Sequence, residues 1–213
     1  MKILRIGPPQ GRLGYQRVVL DSGAAFRVRP EDITTLGLAA GEDLPDALLA
    51  ALQTRAETAL AAQIAYRLLS IRLRSRRELV ERLRGRGISE GTINAVMREL
   101  EHAGLVDDRR FAEAWVRSRI ALRPSGVVRL RYELVAKGVP KDVVDRTLGA
   151  TLAHDEGALA LQLARARVHR YRGAPRDVAY RRLAGILQRR GFSSDIIYTV
   201  LRQVLGAPSH AGE

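Results

Sequence analysis

The sequence predicts a mainly α-helical protein built from tandem three-helix repeats of helix-turn-helix type in an elongated array, with a small β-rich extension at the N-terminus. Three observations lead to this fold class. Over most of the chain, apolar residues recur at every third or fourth position, as in amphipathic helices. A pattern of apolar residues around a glycine occurs three times, roughly 50 residues apart. The first 44 residues instead contain short runs rich in Val, Ile, Tyr and Phe.

The N-terminal extension, residues 1–44, is expected to form three short strands followed by a short helix. Asp21, Ser22 and Gly23 predict a hairpin turn between the second and third strands, and Pro30 begins the helix. Three short strands are not very stable alone, so we expect the extension to pack on the first repeat. Because the basic and acidic residues of residues 1–50 balance, we interpret the extension as an accessory or protein-contact element.

A long helix is predicted next, from Pro45 to about Leu73. Its apolar residues keep a spacing of three or four over several turns, and its alanine-rich middle favours helix strongly. Its last third is expected to serve as the first helix of the first repeat. The stripe predicted to be buried consists of Leu48, Leu52, Ala56, Leu60, Ile64, Leu68 and Ile71.

Each repeat is anchored on a glycine that is predicted to end a helix in the left-handed conformation. The glycines are Gly87, Gly138 and Gly191, and the basic residues that precede them are Arg86, Lys137 and Arg190. The shared apolar positions are Leu79, Leu83, Ile93 and Met97 in the first repeat, Leu130, Leu134, Val144 and Leu148 in the second, and Leu183, Leu187, Ile197 and Leu201 in the third. The predicted boundaries are 45–106, 107–153 and 154–206, with a flexible tail at 207–213.

Local signals also predict the helix starts and the joint between the first two repeats. Ser75 has a glutamate three residues later, which is the spacing of a capping box. Ser125 is a candidate cap in the second repeat. Gly104 is expected to end one helix and Asp108, next to Asp107, to cap the following one. We therefore expect these three residues to form an inter-repeat joint that sets the angle between repeats one and two.

The charge of the chain indicates a polyanion or an acidic partner. The net charge is +13, with about +8 in residues 51–150 and about +5 after them. Nearly all of the basic residues are arginines, whose planar guanidinium suits phosphate and carboxylate groups. A solvated helix exterior rich in arginine is the alternative interpretation. The candidate binding residues are Arg72, Arg74, Arg76, Arg77, Arg82, Arg84, Arg86, Arg117, Arg119, Arg123, Arg129 and Arg131.

The motifs of common enzyme and metal sites are missing from the sequence. It has no P-loop, no G-x-S-x-G, no H-E-x-x-H and no cysteine, and its four histidines lie far apart. The acidic pairs Asp107-Asp108 and Asp155-Glu156 each precede a helix, whose N-terminus they would stabilise. We expect a protein with no enzymatic activity, no cofactor and no metal. No apolar run is long enough to span a membrane and no secretory signal is recognisable, so a cytoplasmic location is expected.

Parts of the chain resemble the RecX family, the regulators of the RecA recombinase. The resemblance covers about residues 55–205 and is most specific at Ser75–Leu79 and Gly104–Ala112. It is carried by the segments RSRREL, HAGLVDDRRFAEAWV and GVVRLRYELVAKGV, and VLDSGAAFRVRPEDITTLGL is similar to an extension that some members have. It implies tandem three-helix repeats, no enzymatic activity and binding to the RecA–DNA filament in the bacterial cytoplasm. The candidate arginines would then contact DNA or the filament.

Two functions from different classes fit this sequence. In the first, the chain is a monomeric, elongated inhibitor in the groove of a RecA–DNA filament that binds DNA weakly and without sequence preference. In the second, it is a helix-turn-helix transcriptional regulator that reads duplex DNA. The candidate reading helix of the first repeat, TINAVMREL, has one arginine and one glutamate, and a second glutamate follows it directly, which favours the first function. Phe111 and Trp115 could stack on bases, but core packing is favoured because the other repeats have apolar residues at the matching positions.

Overall fold

A computed structural model of the chain describes residues 1–11, 13–152 and 156–206. The described part divides into two compact units, Met1–Val106 and a second that begins at Asp107. The tail predicted at 207–213 lies outside the described residues. None of the described helices combines the length and the apolar character that a membrane crossing requires.

The first unit begins with a three-stranded antiparallel sheet and a short helix, as predicted. These elements are β1 (Ile3–Ile6), β2 (Gln16–Leu20), β3 (Ala25–Val28) and α1 (Pro30–Thr35). The strands lie in the order β1-β2-β3, with Val18 opposite Phe26 in the second pair. Gly23 has a φ of +82°, which allows the tight turn between β2 and β3.

One long helix, α2 (Asp46–Leu69), connects this sheet with the first repeat. Leu52, in the N-terminal half of α2, is buried in one cluster with Ile3, Val18 and Leu20 of the sheet. The expectation that the extension packs on the first repeat is confirmed, because α2 is common to both. Burial of such side chains contributes about 2 kcal/mol each, which the small sheet needs for its stability.

The end of α2 differs from the prediction, since the helix stops at Leu69 and not near Leu73. Ser70 is the C-cap residue of α2. The chain then becomes extended, and Ser75 has the φ of −70° and ψ of 157° of a residue that begins a new helix. The cap of the next helix therefore overrides the apolar periodicity that suggested a longer α2.

The predicted apolar stripe of α2 is also wrong at two positions. Leu60 and Ile71 are exposed. The core of the first repeat is instead contacted by small residues of α2, Ala61, Ala62 and Ala65. Small side chains let the neighbouring helices approach closely, so the alanines occupy the face where leucine was expected.

Two helices complete the first repeat, α3 (Arg76–Arg84) and α4 (Glu90–His102). Ser75 caps α3 as predicted: its hydroxyl oxygen accepts a hydrogen bond from the backbone N–H of Glu78 at 3.2 Å. The cap of α4 is Ser89, whose backbone N–H and hydroxyl both donate to the carboxylate of Glu57 on α2, at 2.9 and 2.6 Å. The core of this repeat contains Leu79, Leu83, Ile93, Val96, Met97 and Leu100.

The second unit begins with the second repeat, formed by α5 (Asp108–Leu122), α6 (Val127–Ala136) and α7 (Lys141–Leu152). The cap of α5 is Asp107, and the prediction of Asp108 is wrong. The Oδ1 atom of Asp107 accepts from the backbone N–H groups of Arg109 and Arg110, at 2.8 and 3.1 Å. Asp107 has the extended backbone that a cap requires, whereas Asp108 is already the first helical residue. Gly104 has the predicted left-handed conformation, with a φ of +66°.

The start of α6 also differs from the prediction, because Ser125 does not cap it. Gly126 occupies the capping position. The Ser125 hydroxyl donates to the carbonyl of Arg123 at 2.8 Å, so it stabilises the preceding turn.

The third repeat consists of α8 (Glu156–Val168), a short 3-10 helix (His169–Tyr171), α9 (Arg176–Arg189) and α10 (Ser194–Leu205). The three anchor glycines, Gly87, Gly138 and Gly191, have φ values of +77°, +76° and +80°, which confirms their predicted conformation. All twelve shared apolar positions are buried, so each repeat has its own core.

Candidate nucleic-acid interface

The twelve arginines predicted to bind DNA lie near α3 in the first unit and on α5 and α6 in the second. More than half of them are engaged with carboxylates of the chain. The ion pairs are Arg72 with Glu78, Arg76 with Glu101, Arg77 with Glu81, Arg84 with Glu90, Arg119 and Arg129 with Glu133, and Arg131 with Asp145. Arg74, Arg82, Arg86, Arg117 and Arg123 form no ion pair with a carboxylate of the described residues.

The surface around α3 therefore carries less free positive charge than its sequence suggested. The Nε of Arg76 lies 2.7 Å from Oε1 of Glu101, and the Nε of Arg77 lies 2.7 Å from Oε1 of Glu81. Such exposed pairs are individually weak, at about 0–1 kcal/mol, so a phosphate could replace the carboxylate. Binding of that phosphate would, however, break the existing ion pair.

Arg74 differs from its neighbours because its guanidinium is directed at the backbone. Its Nε donates to the carbonyl of Leu68 at 3.2 Å. Burial lowers the pKa of Arg74, and the nearby charge of Arg72 lowers this pKa further. A groove of about 390 Å³ is lined by Arg72, Arg74, Glu78, Glu81 and Arg82. The mixture of signs in this groove does not favour a strongly anionic ligand.

In the second repeat, Glu133 is the acceptor for three side chains. Trp115 Nε1 donates to Oε2 of Glu133 at 3.0 Å, Arg119 Nε to the same oxygen at 2.8 Å, and Arg129 Nε to Oε1 at 3.0 Å. Burial alone would raise the pKa of Glu133, but the hydrogen bonds from Arg129, Arg119 and Trp115 outweigh it and lower this pKa. Arg119 and Arg129 therefore hold a structural carboxylate.

The aromatic pair of α5 belongs to the core, as predicted. Phe111 is buried, and its ring centroid lies 6.0 Å from that of half-buried Trp115. Arg119 and Lys137 each place a cationic group 4.3 Å from the centroid of the Trp115 ring. Such cation–π contacts contribute about 1 kcal/mol and cover the ring, so it is not presented to a base.

Comparison with known proteins agrees with this arrangement of three repeats. Family models described as the first, second and third three-helix domains of RecX match residues 61–100, 107–148 and 155–201, in that order. Together they cover more than half of the chain. The chain belongs to the RecX family. Each matched domain contains one of the three anchor glycines, at 87, 138 and 191.

Individual relatives match most of the chain. A protein named regulatory protein RecX from Thermobifida fusca is 41% identical over 149 residues, which are 70% of this chain and 80% of that protein. The protein of the same name from Chlorobium phaeobacteroides is 38% identical over 146 residues, 68% of this chain and 93% of its own length. A crystal structure of regulatory protein RecX matches 93% of this chain and 98% of its own, with 27% identity and a TM-score of 0.76. The relatives therefore support a regulatory role.

The third RecX domain contains the free cations that the sequence analysis overlooked. Nine arginines of this domain form no ion pair with a described carboxylate: Arg165, Arg167, Arg170, Arg172, Arg176, Arg182, Arg189, Arg190 and Arg202. Three of its arginines, Arg181, Arg182 and Arg189, line a groove of about 670 Å³ together with Tyr171. The signal was available in the sequence, since residues 156–206 hold ten arginines and only three acids.

The exposed face of α4 in the first RecX domain is not built like a DNA-reading helix. Glu99 and Glu101 lie on it, and they form ion pairs with Arg29 and Arg76 at 2.9 and 2.7 Å. A helix inserted in the major groove would bring these carboxylates close to phosphates, which would repel them. In this domain the arrangement favours contact with the backbone of a nucleic acid over reading of its bases.

Proposed function

We propose that the chain is a non-catalytic regulator of the RecA recombinase, which binds the groove of the RecA–DNA filament and suppresses ATP hydrolysis and strand exchange. The observation that carries this proposal is the match of all three RecX domains, in order, to one chain. The resemblance to regulators of RecA supplies the partner. The free arginines of the third domain supply the charge that a filament containing DNA would attract.

Contact with DNA is part of this proposal. The free arginines would bind phosphates weakly and without sequence preference, and each neutralised phosphate would release counterions. The logarithm of the affinity should therefore fall linearly with the logarithm of the salt concentration. The alternative, a helix-turn-helix regulator, would instead bind one duplex sequence far more tightly than others. The glutamates on α4 speak against that alternative.

The segment from Gly104 to Asp108 links the first and second domains. Its left-handed glycine ends α4 and Asp107 caps α5, so both helix ends of the link between the first and second domains are fixed locally. We propose that this link matters for filament inhibition more than for affinity toward free DNA, because each domain keeps its own arginines.

The proposal is tested with ATP hydrolysis by RecA on single-stranded DNA, measured at increasing concentrations of this protein. Hydrolysis should fall as the concentration of this protein rises and should approach a low plateau. A basic protein of unrelated fold, added at the same concentrations, controls for simple sequestration of DNA. Unchanged ATPase and strand exchange at equimolar protein would exclude the proposed function.

A further inference from the structure

The second and third RecX domains meet through the backbones of two helix ends. The N–H of Gly126, before α6, donates to the carbonyl of Arg190 at 2.8 Å, and the N–H of Val128 donates to the carbonyl of Gly191 at 3.1 Å. The guanidinium of Arg129 donates to the carbonyl of Arg189 at 3.0 Å. The free N–H groups at the start of α6 thus satisfy the free carbonyls at the end of α9.

Only glycine permits this approach. A Cβ atom on Gly126 would lie 2.3 Å from the carbonyl oxygen of Gly191, and a Cβ atom on Gly191 would lie 2.3 Å from Cβ of Arg129. Glu156 closes the same junction, because its Oε1 accepts from the N–H of Val127 at 2.8 Å. The junction is therefore a fixed piece of backbone, and Arg190 projects from it.

One nitrogen of the half-buried Arg190 side chain has no hydrogen-bond partner in this junction. Among the described residues, its Nη1 is the one buried side-chain nitrogen or oxygen atom that has no hydrogen-bond acceptor. Burial lowers the pKa of Arg190, and the positive charges of Arg123, Arg129 and Arg167 lower it further. An arginine remains protonated even so, which leaves a charge held next to three like charges. Such groups in proteins normally have an anionic partner.

The basic residue before each anchor glycine has a different environment in each domain. Arg86 is exposed in the first domain. Lys137 contacts the ring of Trp115 in the second. Only Arg190 of the third is half-buried among other arginines. The repeated position therefore has a distinct environment in the third domain.

We propose that Arg190, together with Arg123, Arg129 and Arg167, forms a binding site for a phosphate group of a nucleic-acid backbone. A phosphodiester of a nucleic-acid backbone carries one negative charge on two non-bridging oxygens, and the next phosphates along the strand add further charges, so several guanidinium forks can donate to the same strand. An isolated carboxylate lacks these neighbouring charges, which matches four arginines less well. Arg129 already donates to Glu133 through Nε, and its other nitrogens extend toward the junction. The site rests on the DNA contact of the proposed function and assigns it a location.

The first test compares two substitutions in the second unit that remove the same charge. Arg190→Gln removes the central cation, whereas Arg146→Gln removes a surface arginine of α7 that pairs with Asp142 of the same helix. Affinity for a single-stranded 20-nucleotide DNA is measured by fluorescence anisotropy over a range of salt concentrations. Arg190→Gln should weaken binding about tenfold and reduce the salt slope by about one, whereas Arg146→Gln should change affinity less than about twofold. Arg190→Lys, which keeps the charge without the fork, should give an intermediate loss.

A second test uses inorganic phosphate alone. Relative to chloride at equal ionic strength, phosphate should raise the thermal midpoint of the wild-type chain by about 2–4 °C more than that of Arg190→Gln. The wild type is compared with Arg190→Gln because phosphate stabilises folded proteins in general, and only the extra shift of the wild type reports binding at Arg190. Without phosphate, Arg190→Gln should be at least as stable as the wild type, since it removes an unpaired buried charge. Circular dichroism confirms that the helices persist.

The outcomes separate this site from the wider proposal. Equal losses of DNA affinity for Arg190→Gln and Arg146→Gln would overturn the site while leaving general DNA binding intact. Binding of an acidic polyglutamate peptide that depends on Arg190, with no such dependence for DNA, would also overturn it and would indicate a protein carboxylate as the ligand. If the wild-type chain binds no DNA but still inhibits RecA, the site fails and the regulatory function stands.

Discussion

The first and third RecX domains of this chain share a fold but use their arginines differently. In the first domain, glutamates on the same or the neighbouring helix pair with the arginines near α3, such as Glu81 with Arg77 and Glu101 with Arg76. In the third, acids are few and most arginines have no described carboxylate partner. Net charge is therefore a poor guide to where an anion binds. The carboxylates within reach of each guanidinium decide it.

The junction of the third domain gives the largest expected difference between the two domains. Gly87 and Gly191 are equivalent, but a Cβ on Gly87 would meet open space and one on Gly191 would meet the backbone of Arg129. Gly191→Ala should lower the free energy of unfolding by about 3–5 kcal/mol, because strain at positive φ adds to a steric clash. Gly87→Ala should cost only about 1–2 kcal/mol. Urea unfolding is followed by fluorescence of Trp115, which reports the second unit, and by circular dichroism. Equal costs would show that the close backbone approach is not maintained in solution.

The second largest expected difference between the first and third domains is in their contribution to DNA affinity. Replacing Arg182 and Arg189 with glutamine removes two cations that have no described carboxylate partner, and binding of single-stranded DNA should weaken about tenfold. Replacing Arg76 and Arg77 removes the same formal charge from ion-paired positions, and we expect about a threefold loss. The salt slope should fall by up to about two for the first variant and by less for the second. A larger loss for the Arg76 and Arg77 variant would show that the α3 arginines contribute more to DNA binding than those of the third domain.

The helix caps of the two domains should respond differently to acid. In the first domain the Glu57 carboxylate accepts from the Ser89 and Thr92 side chains, and these hydrogen bonds lower the pKa of Glu57 from its usual 4.5. A lowered folded-state pKa stabilises the fold above the unfolded value, and this stability disappears as the pH falls through the folded value. Glu57→Gln should therefore cost about 1 kcal/mol near neutral pH and progressively less below pH 4.5.

The matched control for Glu57 is in the third domain, where Ser193 caps α10 by accepting from the N–H of Ile196. Ser193→Ala should cost a similar amount that changes little between neutral and acidic pH, because serine does not ionise. Urea midpoints at several pH values measure both. A pH-independent cost for Glu57→Gln would show that its carboxylate does not cap α4.

The smallest expected effect is a gain of affinity in the first domain. Glu81→Gln combined with Glu101→Gln removes the carboxylate partners of Arg77 and Arg76. Affinity for single-stranded DNA should then rise about two- to threefold, since exposed ion pairs contribute less than about 1 kcal/mol each. The same substitutions should also steepen the salt dependence. No change in affinity would indicate that the α3 surface does not reach the DNA.

Much of the fold could be predicted because its signals are local or periodic. The S-x-x-E spacing at Ser75 placed the cap of α3, and the positions around Gly87, Gly138 and Gly191 marked the core of every repeat. Where two local signals competed, the prediction followed the wrong one. Asp107 and Asp108 are both good caps, and only the backbone angles show that the first of them precedes the helix. The apolar periodicity of α2 continued beyond the residue at which the helix ends.

The features missed from the sequence are contacts between residues far apart in the chain. Glu57 caps a helix that begins more than 30 residues later. In the sequence, Gly126 and Gly191 look like separate turn glycines, although Gly126 is needed because the backbone of Gly191 lies against it, and Gly191 is needed because Arg129 does. The pairing of Arg76 with Glu101 joins two helices, so a count of arginines along α3 could not reveal it. Long-range contacts of this kind decide which charges remain free.

The long helix α2 also affects how the chain can be divided. Leu52 closes the sheet cluster, while Ala61, Ala62 and Ala65, a few turns later on the same helix, close the core of the first RecX domain. The sheet and this domain are therefore two ends of one cooperative folding unit. A shortened chain that begins at Asp46 would expose the leucines that α2 buries against the sheet. The C-terminal half of α2 would still be held in the core of the first domain. Such an exposed strip of leucines promotes self-association, so we expect the shortened chain to associate with copies of itself.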